Sequence, residues 1–204
     1  MATFDLTLSL DANTKTYPSD PDLILSREKE IKANRSLVHN ISFGTHTGTH
    51  CDSPAHIFEE GALLSDMPLE NFHGTAVICD IENFSRILDT ENEIDGIIFN
   101  SGWYKFFTDP EIYYSSSRPK IPDKIISFCV DKKLKFFGCD LPSVDESGSK
   151  NKPNHNALLG NDIIIYESLG NLSQINPGER FSFYGFPLSI KELEGSPVRA
   201  IAIK

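Results

Sequence analysis

Apolar and polar residues alternate from the start of the chain. Phe4, Leu6, Leu8 and Leu10 are interleaved with Asp5, Thr7 and Ser9, and a period of two predicts a half-buried strand. Further runs of strand length follow. Val38 to Phe43 leads toward a histidine-rich segment, and Ala76–Ile81 and Gly96–Asn100 are almost wholly apolar. Lys135–Asp140, Asp162–Glu167, Phe181–Phe186 and Val198–Ile203 complete the set of predicted strands. Pro122 and Asp123 open one clear helix, with Ile125, Ile126, Cys129 and Val130 on a single face. Thr16–Pro21 reads as a loop; Ser115–Pro119 and Glu146–Pro153, rich in Ser, Gly and Lys, read as mobile loops. With about two strands per clear helix, the pattern predicts an α/β or α+β fold: a mixed sheet with few helices. No repeat or low-complexity linker interrupts it, so residues 1–204 read as one domain.

The candidate chemistry sits between the second and third predicted strands. In Gly44-Thr-His-Thr-Gly-Thr-His-Cys-Asp-Ser-Pro-Ala-His56, half of the six histidines surround one aspartate. His46, His50, Asp52 and His56 are separated by four, two and four positions. Side chains of an extended segment repeat on one face every two residues, so all four can share a face. A helix is disfavoured by the glycines and threonines and by Pro54. An extended strand end passing into a loop is the expectation. Imidazoles with a carboxylate suit zinc, and also manganese or iron. Cys51 has the opposite parity and should face away. Thr45, Thr47 and Thr49 are candidate supporting donors.

Composition narrows the partners. The 204 residues suffice for one substantial core. A formal net charge of -10 argues against nucleic-acid binding through the general field. No apolar run approaches the roughly 18 residues of a membrane span, and the first residues lack the basic and apolar regions of a secretory signal. The four cysteines, Cys51, Cys79, Cys129 and Cys139, have no paired spacing and read as reduced thiols. A cytoplasmic location is expected.

Other residues stay open on this reading. His155 follows the long polar loop, and Glu167 ends an apolar strand; each alone reads as a surface or capping group. Asp140, Ser143 and Asp145 read as ordering the loop before His155. Ser143 lacks the surroundings of a nucleophile elbow. His39 and His73 read as structural. Trp103, the only tryptophan, suits either substrate stacking or a core or dimer-interface position.

Thr47-Gly-Thr-His-Cys-Asp-Ser-Pro-Ala-His56, with His46 before it, resembles the H-x-G-T-H-x-D-x-P-x-H signature of the cyclase family of metal-dependent hydrolases, the family of the bacterial kynurenine formamidases and isatin hydrolases. The similarity continues in order through Tyr17–Pro21, Met67–Gly74, Asn100–Trp103, Gly138–Asp145, His155–Leu159, Ile165–Leu172 and Gly195–Arg199. It therefore covers nearly the whole chain. Ile57, Ser101, Cys139 and Leu141 depart from the common pattern without removing a ligand.

The resemblance implies a swivelling β/β/α cyclase-like fold, usually a homodimer or higher oligomer. It implies that His46, His50 and Asp52 hold a first metal, and that His155 and Glu167 hold a second with Asp52 bridging. One or two Zn2+ ions, or Mn2+, would serve. His56 matches the acid/base, with a fourth-ligand or supporting role as its alternative. The implied substrate is a small amide, first an arylformamide such as N-formyl-L-kynurenine, with a role in tryptophan breakdown. A cyclic-amide hydrolase of isatin type, a cyclase acting on another small carbonyl compound, and an inactive binding or scaffold protein are the rivals.

Overall fold

The computed structural model describes residues 1–90 and 93–204. Four short, largely apolar runs form its centre: β5 (His73–Cys79), β6 (Gly96–Phe99), β7 (Phe136–Cys139) and β8 (Ile164–Glu167). They pair in parallel, β5 with β6, β6 with β7 and β7 with β8. Parallel strands are covered on both faces, which is why these runs show no polar alternation. Around them stand β1 (Thr3–Asp5), β4 (His50–Asp52), β9 (Arg180–Tyr184), β10 (Gly195–Pro197) and β11 (Ile201–Ile203). The nine strands run in the order β1-β11-β9-β5-β6-β7-β8-β4-β10.

This sheet has to curl. β10 lies at one end and β11 next to the other, yet only residues 198–200 join them. Seven inter-strand steps of about 4.8 Å would put them roughly 34 Å apart in a flat sheet, whereas the connection reaches at most about 14 Å. Contacts across the gap agree: Val198 N–H donates to Thr49 O at 3.0 Å, Leu6 N–H to Ala200 O at 2.9 Å, and Gly170 N–H to Leu6 O at 2.8 Å.

Alternation then sorts two cores. Ile78, Ile98, Phe136, Tyr166 and Phe183 fill the inside of the curl. Val77, Ile97, Phe137 and Ile165, each one residue over, pack outward against the helical layer. The five α-helices among the described residues are α1 (Ile31–Asn34), α2 (Phe84–Thr90), α3 (Pro110–Tyr113), α4 (Asp123–Lys132) and α5 (Pro153–Leu159). α4 starts where expected and buries Ile125, Ile126 and Cys129. No helix among the described residues is long and apolar enough to cross a membrane. All four cysteines are buried and free.

Several expectations need correction. Only Thr3–Asp5 of the first alternating segment forms a sheet strand; beyond it Thr7 makes a single bridge to Leu169, and Leu8 N–H bonds the Thr49 hydroxyl. Val38–Ser42 is the expected strand, β3, leading toward His46, and it pairs with β2 (Ile24–Lys29) in a separate two-stranded ribbon. β2 escaped notice because Ser26, Arg27, Glu28 and Lys29 carry no apolar alternation. The expected strand over Val198–Ile203 divides, because residues 198–200 cross between the two ends of the sheet. His155 lies on α5, a helix that the loop-like sequence before it concealed. Segments 115–119 and 146–152 carry neither helix nor strand.

Phe136 is fully buried, and its ring meets Tyr166 and Phe183 at centroid distances of 5.9 and 4.9 Å. Phe136→Ala should lower stability by about 3–5 kcal/mol, read as a fall in the urea midpoint.

Candidate active site

β4 is the base of the cluster. His50 and Asp52 lie two residues apart and share a face, while Cys51 between them enters the inner core. β4 pairs antiparallel with β8 in the register His50↔Glu167. That register places His50 Nε2 3.5 Å from Glu167 Oε2. Thr49 tightens the seam, its hydroxyl donating to Ser168 O at 2.5 Å.

His46 and His56 reach the same place by different routes from the one the even spacing suggested. Neither is on the strand. His46 precedes β4 in a turn through Gly48, whose φ is 65°. Its Nδ1 lies 2.8 Å from Asp52 Oδ1. His56 ends a 3-10 turn, Pro54–His56, that bends the chain back. Its ring centroid is 4.3 Å from that of His46 and 5.4 Å from that of His155. Parity held only for His50, Cys51 and Asp52; the turns supplied the rest.

His155 comes from α5. Asp145 Oδ2 lies 2.6 Å from its Nδ1 and so aims Nε2 inward, 3.4 Å from Glu167 Oε1 and 3.9 Å from Asp52 Oδ2. Val144 N–H donates to Glu167 Oε1 at 2.7 Å. The loop containing Asp145 thus orders both groups, while Asp140 accepts from Ser101 and Tyr104 N–H groups. His39 lies on exposed β3, and His73 stacks on Tyr184. Trp103 is not brought to the cluster. Its indole N–H donates to Tyr113 O at 3.0 Å, and its ring packs with Phe106 against the outer core.

Three further contributors were not singled out as site residues in the sequence. Glu194 Oε1 lies 3.2 Å from His46 Nε2 and accepts from the Thr45 hydroxyl at 2.6 Å. Gly195, opposite Asp52 on β10, leaves room for the His46 ring, since a Cβ there would come within 2.7 Å of His46 Cε1. Lys152 Nζ lies 3.5 Å from His56 Nε2. All three act across 96 or more residues of sequence.

Burial and charge compete strongly here. Burial works against a charged Asp52, but the imidazoles of His46 and His50 hold its carboxyl well below the usual range. Burial also opposes a charged His46, yet the Asp52 carboxylate raises this imidazole to about 9. Burial pushes His50 and His56 down to about 4, and lifts Glu167 to about 7 against the pull of His155. The group therefore attracts positive charge to its centre.

His50 Nε2 and both carboxylate oxygens of Asp52 are buried without a hydrogen-bond partner among the described residues. The nearest cationic group is His46, whose Nδ1 lies 2.8 Å from Asp52 Oδ1. Each orphaned atom costs on the order of 1–3 kcal/mol, and a divalent cation bound by N and O donors would satisfy all three. Two trios converge with ligand atoms within 4.8 Å of one another: His46, Asp52 and His56, and His50, Asp52 and Glu167. Asp52 belongs to both. A cavity of about 300 Å³ opens above them, lined also by Tyr17, Ser19, Asp20, Pro142, Ser143, Lys152 and His155.

Comparison with known proteins agrees with this geometry. A profile of the Cyclase family matches residues 4–146. The kynurenine formamidase of Geobacillus thermodenitrificans is 31% identical, over 96% of this chain and 94% of its own. That of Salinibacter ruber is 29% identical, over 98% and 97%. Isatin hydrolase A from Labrenzia aggregata, solved bound to benzyl benzoate, has a TM-score of 0.85 at 22% identity, covering 98% of this chain and 93% of its own. The architecture and the cluster together are those of a hydrolase. The chain belongs to the Cyclase family, and its curled sheet is the swivelling β/β/α cyclase-like fold.

Chelator-treated protein should gain thermal stability when zinc or manganese is added, by about 2.7 kcal/mol at a free concentration of ~100 Kd. Asp52→Ala should abolish that gain in a melting experiment.

Proposed function

We propose that this protein is a divalent-metal-dependent hydrolase of small amides, with an arylformamide such as N-formyl-L-kynurenine as its substrate. The observation that carries the reading is Asp52, a fully buried carboxylate with two unsatisfied oxygens, set among four histidines and Glu167 beneath an open cavity. The full-length similarity to kynurenine formamidases selects the substrate.

His46, His50 and Asp52 would hold one ion, and His155 and Glu167 a second, with Asp52 shared. Zinc and manganese both match these donors. When bound, such an ion lowers the pKa of water from about 15.7 toward ~7 and polarises a carbonyl oxygen. His56 faces the cavity beside His46. Its imidazole accepts the proton of the attacking water and delivers it to the departing aryl nitrogen. Water oxygen adds to the formyl carbon, the C–N bond breaks, and formate and an aryl amine leave. Asp145 keeps the inward nitrogen of His155 free by binding the outward one.

We propose further that residues 1–204 act as one domain, since β1 and β11 join the two ends of the chain in one sheet. Pairing into a homodimer is supported by the apolar side chains left open on the ribbon, Leu25 and Ile41 among them. A cytoplasmic location is supported by four free thiols.

The test is formate release from N-formyl-L-kynurenine by metal-loaded protein, with isatin as comparison. Preferential turnover of the formamide is expected; none would exclude the formamidase. His56→Ala should retain metal and lose about 10²- to 10⁴-fold in kcat. Full turnover would exclude the acid/base role, and lost metal would make His56 a ligand. Asp145→Ala should weaken metal binding about 10- to 100-fold, measured by competition with a chelator.

A further inference from the structure

The cavity contains two charged side chains that the chemistry above leaves unused. Asp20 comes from the loop after Tyr17, and Lys152 immediately precedes α5. They approach from opposite parts of the sequence and line the same space. Once the cation-binding residues and His56 are assigned, they are the only ionic groups left on its wall among the described residues. Each is within the electrostatic reach of the other, since Lys152 and His46 both act on the Asp20 carboxylate. Among the described residues neither is within ion-pair distance, 4.0 Å, of an opposite charge. Lys152 rests instead on His56, at 3.5 Å.

The backbone is tightly turned at or next to both positions. Ser19, next to Asp20, has φ of 89°, and Lys152 has φ of 39°. Both are non-glycine residues in the left-handed region, a strain that persists where the surroundings over-determine it and clusters at ligand sites. The Asp20 loop is anchored as well. Tyr17 meets Tyr114 edge-on at 5.7 Å, and the Tyr114 hydroxyl donates to Lys15 O at 2.9 Å.

We propose that Asp20 and Lys152 are specificity-determining residues that read a zwitterionic α-amino-acid head, Asp20 taking the ammonium and Lys152 the carboxylate. This rests on the amide-hydrolase reading of the same site. A neutral ring would displace water from both partly buried charges and offer neither a direct ion-pair partner. A simple anion would face Asp20, and a simple cation would face Lys152. A small group carrying both signs meets neither penalty. The pair thus separates amino-acid amides from neutral cyclic amides.

Calorimetry on metal-loaded protein tests this with L-kynurenine and 2-aminoacetophenone, which shares the aryl ketone and lacks the head. The wild type should prefer kynurenine by about tenfold or more. Asp20→Asn and Lys152→Met should each remove about tenfold of kynurenine affinity and change 2-aminoacetophenone binding less than about twofold. Lys152→Arg should keep the preference. No preference in the wild type, or equal weakening of both compounds in the variants, would overturn the assignment. The two readings fail separately. Preference without any amide cleavage removes the hydrolase and leaves the pair, whereas cleavage without preference does the reverse.

Discussion

A buried carboxylate organises this molecule. Asp52 has no exposed surface, and a lone ionised carboxylate in such a place would be prohibitive. Here the imidazoles of His46, His50 and His155 surround it, and a backbone pairing on either side fixes it, β8 on one flank and β10 on the other. Two sheet pairings and a curled sheet are needed to bring those partners to one point. Removing one charge from such a group costs far more than the group contributes as a whole, so its members stand or fall together.

The scaffold divides the work by stiffness. The strands carry His50, Asp52 and Glu167, the groups whose spacing must be rigid. His155 is on a helix and is aimed by Asp145. His56, Asp20 and Lys152 are on turns and loops above the sheet. A rigid floor beneath variable walls is the arrangement in which loops set selectivity without disturbing the chemistry.

Electrostatics connects floor to wall. Without an ion, a proton on His46 balances the nearby carboxylates, which is the meaning of its raised pKa. The low values at His50 and His56 follow from burial beside that positive centre. His56 is therefore a neutral imidazole near neutral pH, able to accept a proton, at the edge of a group that favours added positive charge.

Much of this was legible along the chain. The central parallel strands announced themselves as unbroken apolar runs, because burial on both faces leaves no polar position. The cluster from His46 to His56 was visible because its residue types concentrate locally, and the motif order pointed to His155 and Glu167. The spacing argument was right for His50 and Asp52, where a real strand imposes a period of two. It reached His46 and His56 through the wrong geometry, since turns carry no fixed period. For Trp103 residue type left substrate stacking and a core or interface position both open, and only packing put its ring against the outer core. Glu194 and Lys152 had no local signal at all, and Gly195 stood in a matching motif that did not reveal its place beside His46. Their roles arise from strand register and from a sheet curled by a three-residue crossover. Sequence by itself determined which groups were available for the chemistry, because residue type sets donors and charge. Only tertiary structure decided which of them meet, because contacts across a hundred residues depend on register, curl and burial.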